Sequence, residues 1–161
     1  MKFPSSLSYN IEDLSYDEIK QIPISKIIST IHRTHLVYIN HHLEEFDISY
    51  GQFPYLMLLF QQGSQTQEQL VKFFNVTDGV VTRALNKLED SDLILREQDP
   101  GNKRRNIISL TAKGEKLAKN LEDLEDAWED KVYSFLNKDD FNKIKYDLHL
   151  ASINALNINC K

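Results

Sequence analysis

Apolar side chains recur at helical spacing along most of the chain. Between Pro23 and Phe46 two neighbouring apolar lines cover one broad face, which predicts a long helix that packs against more than one neighbour. A second long helix, capped by Thr111, and a last helix after Asn137 show similar apolar lines. Terminal helices with surplus apolar surface on a small chain predict that two copies pair through them.

Three shorter helices are predicted between these. Ser49 and Gln52 form a capping-box pattern that opens a helix, in which Pro54 should remove one backbone hydrogen bond and cause a slight bend. Thr66 and Gln69 repeat the pattern and open a helix that ends near Asn75. The apolar face of this helix would comprise Leu70, Phe73 and Phe74.

The third short helix follows Val76, where Thr77 or Asp78 can cap it. Its apolar stripe would comprise Val81, Leu85 and Leu88, widened by Val80 and Ala84. The opposite face carries small, hydroxyl, amide and cationic side chains, namely Gly79, Thr82, Arg83, Asn86 and Lys87. Such side chains suit a DNA major groove, where Arg can bind guanine and Asn adenine, but they suit any solvated helix face equally well.

A basic hairpin is predicted next. The segments 94–98 and 106–110 are β-compatible, and the turn residues Asp99-Pro-Gly-Asn102 lie between them. The hairpin tip would carry Lys103, Arg104 and Arg105. A run of three cations is by itself usually a solvated surface. The order helix, turn, helix, strand, basic turn, strand, helix nevertheless predicts a winged helix-turn-helix.

Several motifs occur in a specific order between Leu43 and Gly114. They are Gly51-Gln-Phe-Pro-Tyr-Leu, Thr66-Gln-x-x-Leu70, Val80-Val-Thr-Arg-Ala-Leu-x-x-Leu-Glu89, Leu93-Ile, Arg96, and a wing from Asp99 that ends in Leu-Thr-x-x-Gly114. In these motifs the chain resembles the MarR family of winged-helix transcription regulators.

The resemblance implies a mainly α fold with a small β-hairpin wing, which dimerises through its N- and C-terminal helices. Residues 1–48 would form an N-terminal extension and dimerisation helix, 49–111 the DNA-binding lobe, and 112–161 the C-terminal dimerisation helices. The implied function is that of a homodimeric regulator, a repressor, bound to double-stranded DNA at a pseudo-palindromic operator. The expected DNA contacts are Thr77, Asp78, Gly79, Thr82, Arg83, Asn86, Lys87, Lys103, Arg104 and Arg105.

Two positions depart from the family pattern. Arg104 takes the place of the wing arginine, but Asn102 stands where many members have an aspartate that braces it, and Asp99 is a candidate substitute. Asp92 replaces a glycine that is common before the Leu-Ile strand, and aspartate tolerates the left-handed conformation better than most residues.

The resemblance also implies an effector site between the first, second and long helices, which would take a small phenolic or carboxylate compound. His32, Arg33, Tyr38 and Tyr55 could supply stacking and a cation there. Packing or surface roles explain the same four residues. The histidines near His41 and Glu45 invite a metal, but the long helix from Thr111 offers no histidine or cysteine as a further ligand, so no metal or cofactor is expected.

The net charge of −5 qualifies the DNA prediction, because a polyanion repels an acidic protein. Residues 64–113 carry eight cations and seven anions, whereas each flank carries three more anions than cations. The predicted DNA-binding segment is therefore the only part of the chain without net negative charge. The alternative is a winged-helix module that binds proteins instead of DNA.

Other classes of function find little support in the sequence. It lacks the motifs of common hydrolases, P-loop proteins and zinc proteases, so an enzyme is not expected. No apolar run is long enough for a membrane span and the first residues do not form a signal peptide, which predicts a cytoplasmic protein without membrane contact. Cys160 is expected to be an unreactive thiol near the C-terminus.

Overall fold

The computed structural model describes residues 14–159, without the side chains of Arg104 and Asn159, and the chain divides into two units between Tyr38 and Ile39. Cys160 lies outside the described residues. The elements are helices α1 (Tyr16–Ile19), α2 (Ile24–Leu43), a 3-10 helix (Glu44–Phe46), α3 (Phe53–Gln62), strand β1 (Gln65–Thr66), α4 (Gln67–Phe74), α5 (Asp78–Asp90), β2 (Ile94–Asp99), β3 (Asn102–Leu110), α6 (Ala112–Val132) and α7 (Lys138–Asn159).

The mainly helical fold with a small antiparallel sheet confirms the predicted class. α2 and the 3-10 helix together span the predicted first helix, and α7 begins just after Asn137 as expected. α1 is a single turn with a capping box, in which the Ser15 amide donates to Glu18 Oε2 over 2.8 Å. No helix among residues 14–159 combines the length and apolar composition that a membrane span needs.

The core of the second unit is aliphatic and draws on α3, α4, α5, α6 and the sheet. The side chains at its centre are fully or almost fully buried: Leu56, Leu70, Val81, Leu85, Leu88, Leu93, Ile108 and Leu121. They confirm the predicted inner faces of the short helices in most positions. Phe73 and Val80 are exceptions, since they remain 58% and 37% exposed and are not part of those faces.

The beginning of α3 differs from the prediction. Gln52 Oε1 accepts from the Ser49 amide over 2.9 Å, but this contact lies in the turn before the helix, which begins at Phe53. Pro54 therefore falls in the first helical turn, where a backbone N–H has no intrahelical acceptor in any case. The expected loss of a hydrogen bond at Pro54 is wrong for this reason.

Strand β3 is central in a three-stranded sheet of order β1-β3-β2. β1 has only two residues, Gln65 and Thr66, which pair with Ile108 and Ile107, and the sequence pattern did not predict it. Thr66 also caps α4, because the Gln69 amide donates to its hydroxyl over 3.3 Å while its own amide donates to Gln69 Oε1 over 2.7 Å. The strand and the cap together fix the start of α4 against the wing.

The connections around the wing are tight. Asp92 has a φ of 58°, which confirms the predicted left-handed residue after α5, and the Leu93 amide donates to the Leu88 carbonyl over 2.9 Å. After β3, at the same end of the hairpin, the Thr111 hydroxyl accepts from the Gly114 amide over 3.0 Å and caps α6. A Cβ atom on Gly114 would lie 2.0 Å from the Leu93 carbonyl oxygen, so α6 approaches this backbone closer than any side chain allows.

Candidate nucleic-acid interface

α5 occupies the place of a recognition helix, the second helix of a helix-turn-helix. Thr77 is its N-cap by backbone conformation, although its hydroxyl accepts no cap hydrogen bond. Most of the predicted contact residues on α5 and its cap are exposed, and the remaining two, Thr82 and Lys87, are half-buried. The exposed ones are Thr77, Asp78, Gly79, Arg83 and Asn86. The predicted polar face is thus open to a partner.

The first turns of α5 are fixed to α4 by Gln67. Its side-chain nitrogen donates to Asp78 Oδ1 over 2.8 Å and to Thr82 Oγ1 over 2.9 Å. These contacts join the two helices of the helix-turn-helix through polar atoms at the edge of the predicted DNA face.

The last turns of α5 are fixed to β2 by Arg96. Its Nη2 donates to Asn86 Oδ1 over 2.7 Å, and its Nε lies 3.2 Å from Glu89 Oε2. Arg96 therefore ties the recognition helix to the wing and neutralises one acidic side chain near the predicted DNA face.

Lys87 forms an ion pair with Asp47, which follows the 3-10 helix and has a left-handed φ of 53°. A lysine held by a carboxylate contributes less to the neutralisation of DNA phosphates, because the pair must first separate. No pattern in the sequence predicts this pair, since the two residues are forty positions apart.

Asp47→Asn should release Lys87 and strengthen DNA binding. Asparagine adopts the left-handed conformation readily, so the backbone at position 47 should not change. We expect tighter binding and a plot of log K against log salt that is steeper by up to about 0.9 for each lysine released. The control is Asp90→Asn, which removes an exposed charge from α5, the helix that carries Lys87, without freeing a lysine. Equal effects of the two substitutions would contradict the role of the pair.

The wing consists of β2, β3 and the two-residue turn Pro100–Gly101 between them. Asp99 pairs with Asn102 and Gln98 pairs with Asn106, so the strand register shifts between these two pairs. Residues 103–105 of β3 therefore have no backbone pairing partner in β2. The three cations lie at the start of β3, which begins at Asn102 and so earlier than the predicted strand 106–110. They still lie at the tip, which is where a wing reaches towards DNA.

Asp99 organises this tip. Its carboxylate accepts from Arg105 Nη2 over 2.6 Å and Nε over 3.0 Å, and from the Gly101 amide over 2.8 Å. The candidate brace at Asp99 therefore binds Arg105, whereas the side chain of Arg104 lies outside the described part. The hydrogen bond from Arg105, with that from the Gly101 amide, lowers the pKa of Asp99 below its ordinary value.

The wing tip should loosen in acid. Because the pKa of Asp99 is lowered in the folded protein, its stabilising contribution is complete above the ordinary aspartate pKa of about 3.9 and is lost as the pH falls through the lower folded value. The chemical shift of the Gly101 amide should report this titration with a midpoint below about 3.9. Arg105→Gln should move the midpoint up towards the ordinary value, and an unchanged midpoint in that variant would exclude the pair as its cause.

The four residues of the predicted effector site lie on two helices. His32, Arg33 and Tyr38 belong to α2, and Tyr55 belongs to α3, where it is buried with its ring centroid 4.6 Å from that of Phe74. Burial raises the pKa of the Tyr55 hydroxyl. Tyr55 is thus a core residue in this structure.

A cavity of about 410 Å³ lies beside the 3-10 helix and α6, and Tyr55 is not in its lining. An apolar floor of Phe46, Leu117, Leu121 and Leu124 is bordered by His42, Glu45, Asn120 and Asp123. Within residues 14–159, no group of three or more His, Cys, Asp or Glu side chains is arranged to hold a metal ion.

Two helices joined by a short turn, followed by a β-hairpin with a basic tip, define a winged helix-turn-helix protein. The profile of the MarR family matches residues 48–105. An uncharacterised transcriptional regulator of Bacillus cereus is 30% identical over 109 residues, which are 68% of this chain and 72% of that protein.

Solved structures agree with this match. A MarR transcriptional regulator from Methanosarcina mazei Go1 is 30% identical with a TM-score of 0.76, over 84% of this chain and 97% of the other. The MepR protein of S. aureus, in a structure of its complex with DNA, is 29% identical with a TM-score of 0.70, over 83% and 99%. The chain belongs to the MarR family and is a DNA-binding transcriptional regulator, not an enzyme.

Proposed function

We propose that the protein is a homodimeric repressor that places two copies of α5 in adjacent major grooves of a pseudo-palindromic operator. The observation that carries this proposal is the exposed face of α5 around Arg83. The Arg83 side chain forms no hydrogen bond or ion pair with any residue of the described chain. An arginine that no carboxylate holds is available to a guanine edge or a phosphate. The DNA complex of MepR, whose fold this chain shares, supports the same interpretation.

The proposed contacts fall into two groups. On α5 and its cap they are Thr77, Asp78, Gly79, Thr82, Arg83, Asn86 and Lys87, and on the wing they are Lys103, Arg104 and Arg105. Lys87 and Arg105 are already paired with carboxylates, so Arg83 and Lys103 should supply most of the binding energy from the described cations. We therefore expect moderate affinity that weakens as salt is added.

Dimerisation is supported by the apolar surface of the terminal helices. On α7, Leu150, Ile153 and Leu156 are 43%, 42% and 60% exposed, and Ile24 at the start of α2 is 68% exposed. A row of exposed apolar side chains of this length on a helix costs free energy unless a second surface covers it. Another copy of the chain, related by twofold symmetry, would cover it and place two recognition helices on one duplex.

Selection of bound sequences from a pool of random duplexes tests the proposal. The expected product is an inverted repeat whose half-sites are about 10 base pairs apart from centre to centre, one turn of DNA. A single half-site, or no enrichment at all, would overturn the proposed architecture.

A small phenolic or carboxylate effector remains our proposal for the signal, with His32, Arg33 and Tyr38 on α2 as its candidate residues, since Tyr55 is buried in the core. Such a ligand releases DNA only if it binds better to a spacing of the lobes that does not fit the operator. Isothermal titration with salicylate should then give heat, and added salicylate should weaken operator binding. Titration without heat and without loss of DNA binding would remove the effector from the account.

A further inference from the structure

Gln67 is the first residue of α4 and is half-buried. Both protons of its side-chain nitrogen are used, one by Asp78 Oδ1 at 2.8 Å and one by Thr82 Oγ1 at 2.9 Å. Because a carboxylate can only accept, the amide nitrogen of Gln67 must be the atom that faces α5. The acceptors Asp78 and Thr82 therefore fix the orientation of the Gln67 side-chain amide.

Thr82 behaves differently from the threonines within α2. Thr30 and Thr34 turn their hydroxyl protons back to the carbonyls of Lys26 and Thr30, each over 3.1 Å, as threonines in helices commonly do. Thr82 accepts from Gln67 and donates to no group among residues 14–159. Its proton thus remains available to a partner outside the chain.

Asp78 and Thr82 are one helical turn apart on the same side of α5. Asp78 has a second carboxylate oxygen in addition to the one that Gln67 occupies, so the two residues offer an acceptor and a donor at the end of the helix that contacts bases. A C·G pair presents a matching set in the major groove, since cytosine N4 donates and guanine O6 and N7 accept. Cytosine N4 is also the usual base partner of an acidic side chain.

We propose that Gln67 is a specificity-determining positioning residue that orients Asp78 and Thr82 to read one C·G pair in each half-site. This inference depends on the proposed operator binding. Gln67 itself contacts no base in this scheme. Its loss should allow Thr82 to turn its proton back to the Asp78 carbonyl, and the readout of that base pair should then disappear while the rest of the interface remains.

The test compares the full-length protein with Gln67→Met, which keeps the length and helix propensity of the side chain but removes its donors. Affinities are measured for the selected duplex, for duplexes with each half-site position changed to the other three base pairs, and for an unrelated duplex. The unchanged protein should prefer C·G about tenfold at one position, and the variant should retain a preference of about twofold or less there. Binding to the unrelated duplex and discrimination at the other positions should stay within about twofold, because phosphate contacts are unaffected.

Two further variants separate positioning from a structural effect. Thr82→Val should relax the same position, and the double variant should be no worse than either single variant, as expected for residues that act as one unit. Glu68→Gln is the matched control, since this neighbour on α4 is exposed, and it should keep full discrimination. Three results would overturn the inference: equal weakening on all duplexes by Gln67→Met, an unchanged preference in that variant, or a preferred pair other than C·G. Failure of the unchanged protein to bind any duplex would overturn the proposed function as well.

Discussion

Gly114→Ala should lower the free energy of unfolding by about 1–3 kcal/mol, the usual cost of forcing an extra methyl group into a packed site. In most helices the same substitution stabilises by up to about 1 kcal/mol, because alanine has the higher helix propensity. Here the new Cβ would lie 2.0 Å from the carbonyl oxygen of Leu93, and that oxygen cannot move freely because the Thr111 amide donates to it over 3.0 Å. The steric cost of the new methyl group against the Leu93 backbone therefore exceeds the gain in helix propensity.

Gly79→Ala is the matched control for this prediction. Gly79 also lies in a helix, but a Cβ there would meet no atom within 4 Å. Urea denaturation of both variants should therefore give opposite signs, with Gly79→Ala neutral or stabilising. A Gly114→Ala protein as stable as the parent would show that α6 does not pack on Leu93 as described.

Arg83→Ala should weaken operator binding by about 1–3 kcal/mol for each half-site, the value of a good contact between arginine and guanine. The side chain is exposed on the outer face of α5, and no core residue depends on it, so stability should change by less than about 0.5 kcal/mol. Fluorescence anisotropy with the selected duplex measures the loss, and thermal unfolding measures the stability.

Arg83→Lys distinguishes base readout from charge. Lysine keeps the positive charge but cannot form the bidentate contact, so binding to an unrelated duplex should be unchanged while the selected duplex is bound less tightly. If Arg83→Ala left operator affinity and its salt dependence unchanged, Arg83 would not contact DNA.

Much of the fold was predictable because it depends on local chemistry. The capping box of Thr66 and Gln69 fixed the start of α4, and the apolar spacing of Val81, Leu85 and Leu88 fixed the inner face of α5, both as expected. The left-handed Asp92 was foreseen because few residue types tolerate that conformation. These features depend on residues within one or two turns of each other.

The contacts that tune the interface were not predictable in this way. The pairs Lys87–Asp47, Arg96–Asn86 and Gln67–Thr82 join residues that are 10 to 40 positions apart. Only the folded chain brings them together, and the sequence contains no pattern that links them. The helical spacing also predicted Phe73 as a core residue, but α4 turns this side chain towards the surface.

These pairs also change the charge argument. The sequence shows one segment without net negative charge, but two of its predicted DNA contacts, Lys87 and Arg105, are held by the acids Asp47 and Asp99. The affinity should accordingly depend on a few unpaired cations rather than on the whole basic run.

The most direct test of the account is a titration of a labelled duplex that carries the selected inverted repeat, at low ionic strength, followed by sedimentation of the complex. The protein should sediment as a dimer in the absence of DNA and should place two chains on each duplex. Its affinity should fall linearly on a plot of log K against log salt. A protein that sediments as a monomer, or one that leaves the duplex unbound at low salt, would contradict the claim that a locally basic lobe, doubled by symmetry, binds DNA from an acidic chain.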